Sequence, residues 1–164
     1  MGIDETVARD EITQLCYRYA WSLDSRDLDS LVACFVPGAT SRDFWEESLR
    51  GVGVTVLMVA NVLVDFDPES SGDARGIVYC NARVEDPPQS GRIVEQAIVY
   101  FDRYRRDRAG RWQFVKRRHE LFWGVEAAER PLDQPDANWP QSSAGRGTLP
   151  YHLESWQRFW SPGL

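Results

Sequence analysis

Apolar residues recur at helical spacing through the first 35 positions of this chain and at every second position over much of residues 55–123, and that change of period fixes the order of its layers. Ile12, Leu15, Cys16, Tyr19, Ala20 and Leu23 follow the i, i+3, i+4, i+7, i+8, i+11 series, a stripe along one side of a helix. Asp4 is placed to cap its start, and Arg9, Asp10 and Arg18 fall off the stripe. Ser25 to Asp27 then supply turn and N-cap chemistry. Leu28, Leu31, Val32 and Phe35 form a second, shorter stripe that Pro37-Gly38 ends.

Beyond Gly38 the period shortens towards two. Ala39 to Trp45 reads as a strand, and Thr55 to Phe66 is rich in Val and Leu. Gly76 to Val84 sets Val78, Cys80, Ala82 and Val84 against Ile77, Tyr79, Asn81 and Arg83. Ile93 to Tyr104 and Arg111 to Trp123 complete the series. "DPESSGD" (residues 67–73) and "RRDRAG", whose Gly110 suits a turn, are hairpin loops. "DRYRRDR", carrying Asp102, Asp107 and four arginines, reads as a solvated strand end of surface ion pairs. Helices first and antiparallel strands afterwards predict an α+β fold, with the helices packed on one face of a curved sheet.

With 164 residues, the chain accommodates one core. That core is expected in residues 1–125, followed by an extension over residues 126–164. The extension carries Pro131, Pro135, Pro140, Pro150 and Pro162, the small-residue run "SSAGRGT", and Tyr151, Trp156, Phe159 and Trp160. So many large rings are not left in water, so the extension is expected to wrap the domain, cover a pocket or reach a partner subunit.

A net charge of -6 with arginines spread along the chain excludes a phosphate backbone as partner. No run approaches the ~20 apolar residues of a membrane span, and the acidic start is no secretory signal, so a cytoplasmic protein is expected. Cys16, Cys34 and Cys80 sit within apolar patterns and read as buried thiols. His119 and His152 are the two histidines, and there is no HxH, HExxH or CxxC pair and no phosphate-cradling glycine loop. Neither a metal nor a nucleotide cofactor is implied.

Three residues carry candidate chemistry. Asp24 stands where the first stripe ends, and two readings are open: it caps the second helix with its neighbours, or it points inward as a buried acid for proton transfer. Tyr19, five positions earlier, lies on roughly the same face; it is either a core aromatic or a hydroxyl placed to polarise an oxygen. On the last strand the alternation puts Val115, Arg117, His119, Leu121 and Trp123 on one face. His119 is there either a satisfied core histidine or a base oriented by a carboxylate. Trp45, Tyr100 and Trp123 are pocket wall or plain core, and one of Glu95 and Gln96 faces inward.

The segments "EITQLCYRYAWSLDSRDLDSLVACFVPGA", "NVLVDFD" and "YFDRYRRDRAGRWQFVKRRHELFW" together resemble the SnoaL-like branch of the nuclear transport factor 2-like superfamily, over Asp10 to Trp123. The resemblance implies a cone-shaped α+β barrel around an apolar pocket, a homodimer formed through the sheet, and work without metal or organic cofactor. The branch contains dehydratases, dehydrochlorinases and polyketide cyclases, and members that only bind. It keeps a pocket Asp at the position of Asp24, a Tyr at that of Tyr19 and an Asn at that of Asn61. Its general-base His falls on Leu57 here, and the segment from Gly51 to Asn61 is too short for the usual intervening helix. Three routes follow: His119 takes over the proton transfer, Asp24 acts alone, or the pocket binds without acid-base chemistry. The expected function is that of a lyase, isomerase or cyclase acting on a hydrophobic, ring-bearing molecule such as a polyketide or terpenoid intermediate. Asp24, His119 and Tyr19 would be catalytic, and Trp45, Leu57, Asn61, Tyr100, Leu121 and Trp123 would contact substrate. The alternative is a ligand-binding or accessory member.

Overall fold

A computed structural model describes residues 3–138 and 140–161; Pro162 lies outside the described residues. The first stripe becomes α1, Ile3–Asp24, and buries the side it predicts: Ile12, Leu15, Cys16, Tyr19, Ala20 and Leu23 are all buried. Helix α2, Leu28–Ala33, opens on Asp27, whose carboxylate accepts from the Ser30 amide at 3.1 Å and the Ser30 hydroxyl at 2.7 Å. Asp27 is therefore the cap of α2, which frees Asp24 from that role.

Ala39 to Trp45 is not a strand. Ser41 accepts from the Phe44 amide at 3.2 Å and starts α3, Arg42–Arg50. An Arg50–Glu46 ion pair one turn apart (2.8 Å) supports the helix. With Phe44, Trp45 and Leu49 its three apolar residues in nine positions, the pattern is too sparse to show its period.

Four antiparallel strands follow in sequential order, β1 (Thr55–Phe66), β2 (Asp73–Glu85), β3 (Ile93–Arg106) and β4 (Trp112–Glu126), as a curved sheet that stays open between β1 and β4. Its inner face sets Val64, Val78, Cys80, Ala82, Ile98, Tyr100, Tyr104 and Phe114 against α1. Cys16, Cys34 and Cys80 are free and buried.

Bulges change which side chains face in. In β4 the partners run Phe114–Tyr104 then Lys116–Arg103, and Leu121–Ile98 then Trp123–Ala97, so Val115 and Phe122 are extra residues. Each extra residue flips the alternation that follows. Phe114 thus shares the inner face with Arg117 and His119 and is fully buried, whereas Trp123 is turned out and 54% exposed. A third irregularity lies between Val59 and Val62 of β1 and leaves Asn61 exposed. The outer sheet face presents Met58, Leu63, Ile77, Tyr79, Phe101 and Phe122 to solvent.

The extension holds a short 3-10 turn, Pro131–Asp133, and helix α4, Glu154–Trp160, whose Trp156 and Phe159 are buried. No described helix is long and apolar enough to cross a membrane.

Candidate active site

A cavity of about 480 Å³ lies between the helices and the inner face of the sheet. Tyr19 and Leu23 of α1, Thr40, Phe44 and Trp45 around α3, Thr55 and Leu57 of β1, Gln96, Ile98 and Tyr100 of β3, and Arg117 and His119 of β4 form its main walls. Of the residues singled out in the sequence, Tyr19, Trp45, Leu57, Tyr100 and His119 are brought together here. Asn61, Leu121 and Trp123 are not: all three are exposed and stand outside the walls. Gln96, not Glu95, faces inward; Glu95 pairs with Arg83 at 2.9 Å. No described residue beyond His119 lines the cavity, so the described part of the extension does not cover it.

Asp24 sits one layer behind the β1 wall. Its Oδ1 accepts from the Thr55 hydroxyl at 2.8 Å and its Oδ2 from the Leu57 amide at 2.9 Å. Burial pushes its pKa up to about 6, against the pull of the Leu57 amide, the Thr55 hydroxyl and the Arg26 charge. Leu57 thus supplies its backbone to Asp24 and its side chain to the cavity.

Arg26 is the hidden member of this corner. Its backbone is left-handed (φ 59°) and its side chain is 2% exposed. Nη1 donates to the Leu23 carbonyl at 2.6 Å and to Thr55 Oγ1 at 3.1 Å, while Nη2 donates to the Gly53 carbonyl. Arg26, Thr55 and Asp24 therefore form one directed chain of hydrogen bonds. Burial lowers the Arg26 pKa to about 10. The strand start that receives Arg26 is itself fixed: Glu85, buried, accepts from the Val54 and Gly91 amides, both at 3.0 Å, and any Cβ at Gly53 would overlap the Glu85 carboxylate.

Arg117 closes the opposite wall. Its Nε and Nη2 donate to the two Asp102 oxygens at 2.9 and 2.7 Å, and the Tyr104 hydroxyl donates to Asp102 Oδ2 at 2.8 Å. The guanidinium lies 4.1 to 4.4 Å from the ring centroids of Tyr100, Phe114 and Tyr19. Asp102 is thus a buried partner (side chain 0% exposed) rather than part of a solvated strand end. The rest of "DRYRRDR" behaves as expected, with Asp107 and Arg111, and Arg105 and Asp73, paired at the surface.

Tyr19 is ringed by Phe35, Trp45, Tyr100 and Phe114 at centroid distances of 5.7 to 6.2 Å. Burial raises its pKa to about 12, so its hydroxyl stays a donor at neutral pH. His119 stands over Tyr100 (5.6 Å between rings); the residue is exposed, and partial desolvation of its ring lowers its pKa from the ordinary histidine value. No hydrogen bond joins it to Asp24, whose two oxygens are engaged on β1 at the other edge of the sheet. The expected orientation of His119 by that carboxylate is not formed.

Arg26, Thr55 and Asp102 carry no mark as site groups in the sequence, Arg117 is visible there only as a member of a face, and Gln96 only as one of two candidates with Glu95. Among the described residues, no group of three His, Cys, Asp or Glu could hold a metal ion.

The SnoaL-like domain family model matches residues 4–118 of this chain. No curated protein matches its sequence. Among solved structures, a putative scytalone dehydratase from Novosphingobium aromaticivorans is similar at TM-score 0.63 and 20% identity, over 87% of this chain and 94% of that one. Hexachlorocyclohexane dehydrochlorinase LinA-type3 from Novosphingobium barchaimii gives 0.66 and 16%, over 77% and 94%. A putative dehydratase of the NTF2-like family from Streptomyces avermitilis gives 0.59 and 11%, over 73% and 99%. At these identities the likeness is one of fold.

Proposed function

The chain belongs to the SnoaL-like domain family, and from that premise we propose that it is a cofactor-independent lyase, isomerase or cyclase that moves a proton on a hydrophobic, ring-bearing molecule such as a polyketide or terpenoid intermediate. The observation that carries this reading is Asp24, a carboxylate of pKa about 6 fixed behind a cavity large enough for a small polycyclic molecule.

The chemistry follows from the hydrogen-bond directions. Above about pH 6 Asp24 is ionised. As the Thr55 hydroxyl proton passes to Asp24 Oδ1, the Thr55 oxygen takes a proton from substrate in the cavity, and the Leu57 amide holds the second carboxylate oxygen. Arg26, donating to the same Thr55 oxygen, steadies it while it changes partners. Tyr19, still protonated, donates to a substrate oxygen that gains negative charge. The proton held by Asp24 then returns through Thr55 to another atom of the substrate, or leaves with the departing hydroxyl as water, and His119 on the far wall accepts a hydrogen bond from a substrate hydroxyl without taking its proton. Of the three routes, this is the one in which Asp24 acts without a partner imidazole.

Asp24→Asn and His119→Ala test this against cyclic hydroxyketones and enones, followed by product mass analysis. Asp24→Asn is expected to abolish turnover and His119→Ala to reduce it; full activity in both variants sinks the proposal. The engagement of both Asp24 oxygens and its lack of contact with His119 favour a second reading, a non-catalytic ligand carrier, which predicts saturable binding of the same compounds with no product. The exposed apolar outer sheet face supports a homodimer, for which light scattering should give twice the 18.8 kDa chain mass.

A further inference from the structure

Helix α4 follows the residues matched by the family model, does not line the cavity, and yet packs on the one cation that reaches Asp24. The Arg26 guanidinium lies 4.8 Å from the Trp156 ring and 5.8 Å from the Phe159 ring. The helix is pinned at two further points. The Ser155 hydroxyl donates to the Ser25 carbonyl at 2.7 Å, and Arg50, at the end of α3, donates to the Phe159 carbonyl at 3.1 Å. One short helix thus fastens the Asp24 corner to the helix that carries Trp45.

A buried guanidinium without a direct carboxylate partner is costly, and here carbonyl dipoles and two aromatic faces replace its water. Remove the rings and water reaches Arg26, screening its charge and loosening its bond to Thr55. We propose that α4 is a working part of the Asp24 site, with Arg26 and Trp156 as positioning residues: Trp156 holds Arg26 against Thr55, and Arg26 through Thr55 keeps the Asp24 carboxylate charged.

The other groups near this corner are few. Asp24 is faced by Arg26, Thr55, Leu57 and, across β2, Cys80. Asp27, Asp29, Arg42 and Arg158 line a narrow surface cleft beside Arg26 and lie open to solvent screening. The inference goes beyond the proposed reaction and needs no substrate, so it stands or falls even if no turnover is found.

The test is a carboxyl-carbon NMR titration of the full chain, with the Asp24 signal assigned by its loss in Asp24→Asn. Arg26→Met is expected to raise the Asp24 midpoint by about half a pH unit or more, since an opposite charge has been withdrawn. Trp156→Ala is expected to raise it in the same direction, and to add nothing in the Arg26→Met background because it acts through Arg26. Trp156→Phe, which keeps a ring over the guanidinium, should restore the wild-type midpoint. A helix that merely stabilises the fold would lower the melting temperature and leave the midpoint where it was. That result, or a downward move in Trp156→Ala, overturns the proposal. Should Arg26→Met not fold, the Trp156→Ala and Trp156→Phe midpoints decide alone.

Discussion

Two buried arginines stand near one cavity, Arg117 in its wall and Arg26 behind the start of β1, and the protein treats them differently. Arg117 meets its carboxylate directly, in a two-pronged pair with Asp102 shielded by three rings, and its pKa rises. Arg26 is kept one hydroxyl away from Asp24, is held by carbonyls, and its pKa falls. A closed pair has spent its charge and serves as wall. Asp24, desolvated by burial and without a cation in direct contact, has its pKa pushed up to about 6. Direct contact between cation and acid at one corner, and a hydroxyl between them at the other, is what separates the two.

The comparison breaks most visibly at Asp102. Asp102→Ala leaves Arg117 buried and unpaired, and should destabilise the fold by about 3–5 kcal/mol in chemical denaturation; a loss under about 1 kcal/mol would show that the rings alone hold that wall. The Asp24 corner should answer to pH instead. Because its folded pKa, about 6, lies above the 3.8 of a free aspartate, its contribution to stability is full below about pH 4 and lost as pH rises through 6. Wild-type unfolding free energy should therefore carry a component of about 3 kcal/mol that declines between about pH 4 and pH 6 and is flat above. Asp24→Asn should lack it, and identical pH profiles would remove the raised acid from the account. Thr55→Val cuts the link between Arg26 and Asp24, for about 1–2 kcal/mol, with a rise in the Asp24 midpoint; an unmoved midpoint would mean that Arg26 acts through space alone. Arg111→Ala, which breaks an exposed pair with Asp107, should change stability by less than about 0.5 kcal/mol, the baseline for the other effects.

Much of this frame was legible in the residues. α1 and β1 were clear because an unbroken apolar period, 3.6 or the Val- and Leu-rich equivalent in a strand, can be satisfied by one geometry. The period left Asp24 open between an inward acid and a cap, and Asp27 took the capping role because it sits where the Ser30 amide needs an acceptor. α3 was hidden by having three apolar residues in nine positions. The bulges at Val115 and Phe122 were hidden because an extra residue in one strand is a property of its pairing with another. Trp123 was misplaced for that reason alone. Asp102 looked like one charge in a row of charges, since its partner comes from the neighbouring strand 15 positions later. Arg26 left no local mark, because it binds main-chain carbonyls and rings from the far end of the chain.

Gly53 ties several of these threads to one position. Its carbonyl receives Arg26, and the space its missing side chain vacates is filled by the Glu85 carboxylate. In a saturation library, position 53 should return glycine and little else, while its neighbour Val52 accepts other apolar residues. Exchange of Gly53 and Glu85 together, not singly, is the route by which a descendant of this chain would vary the corner.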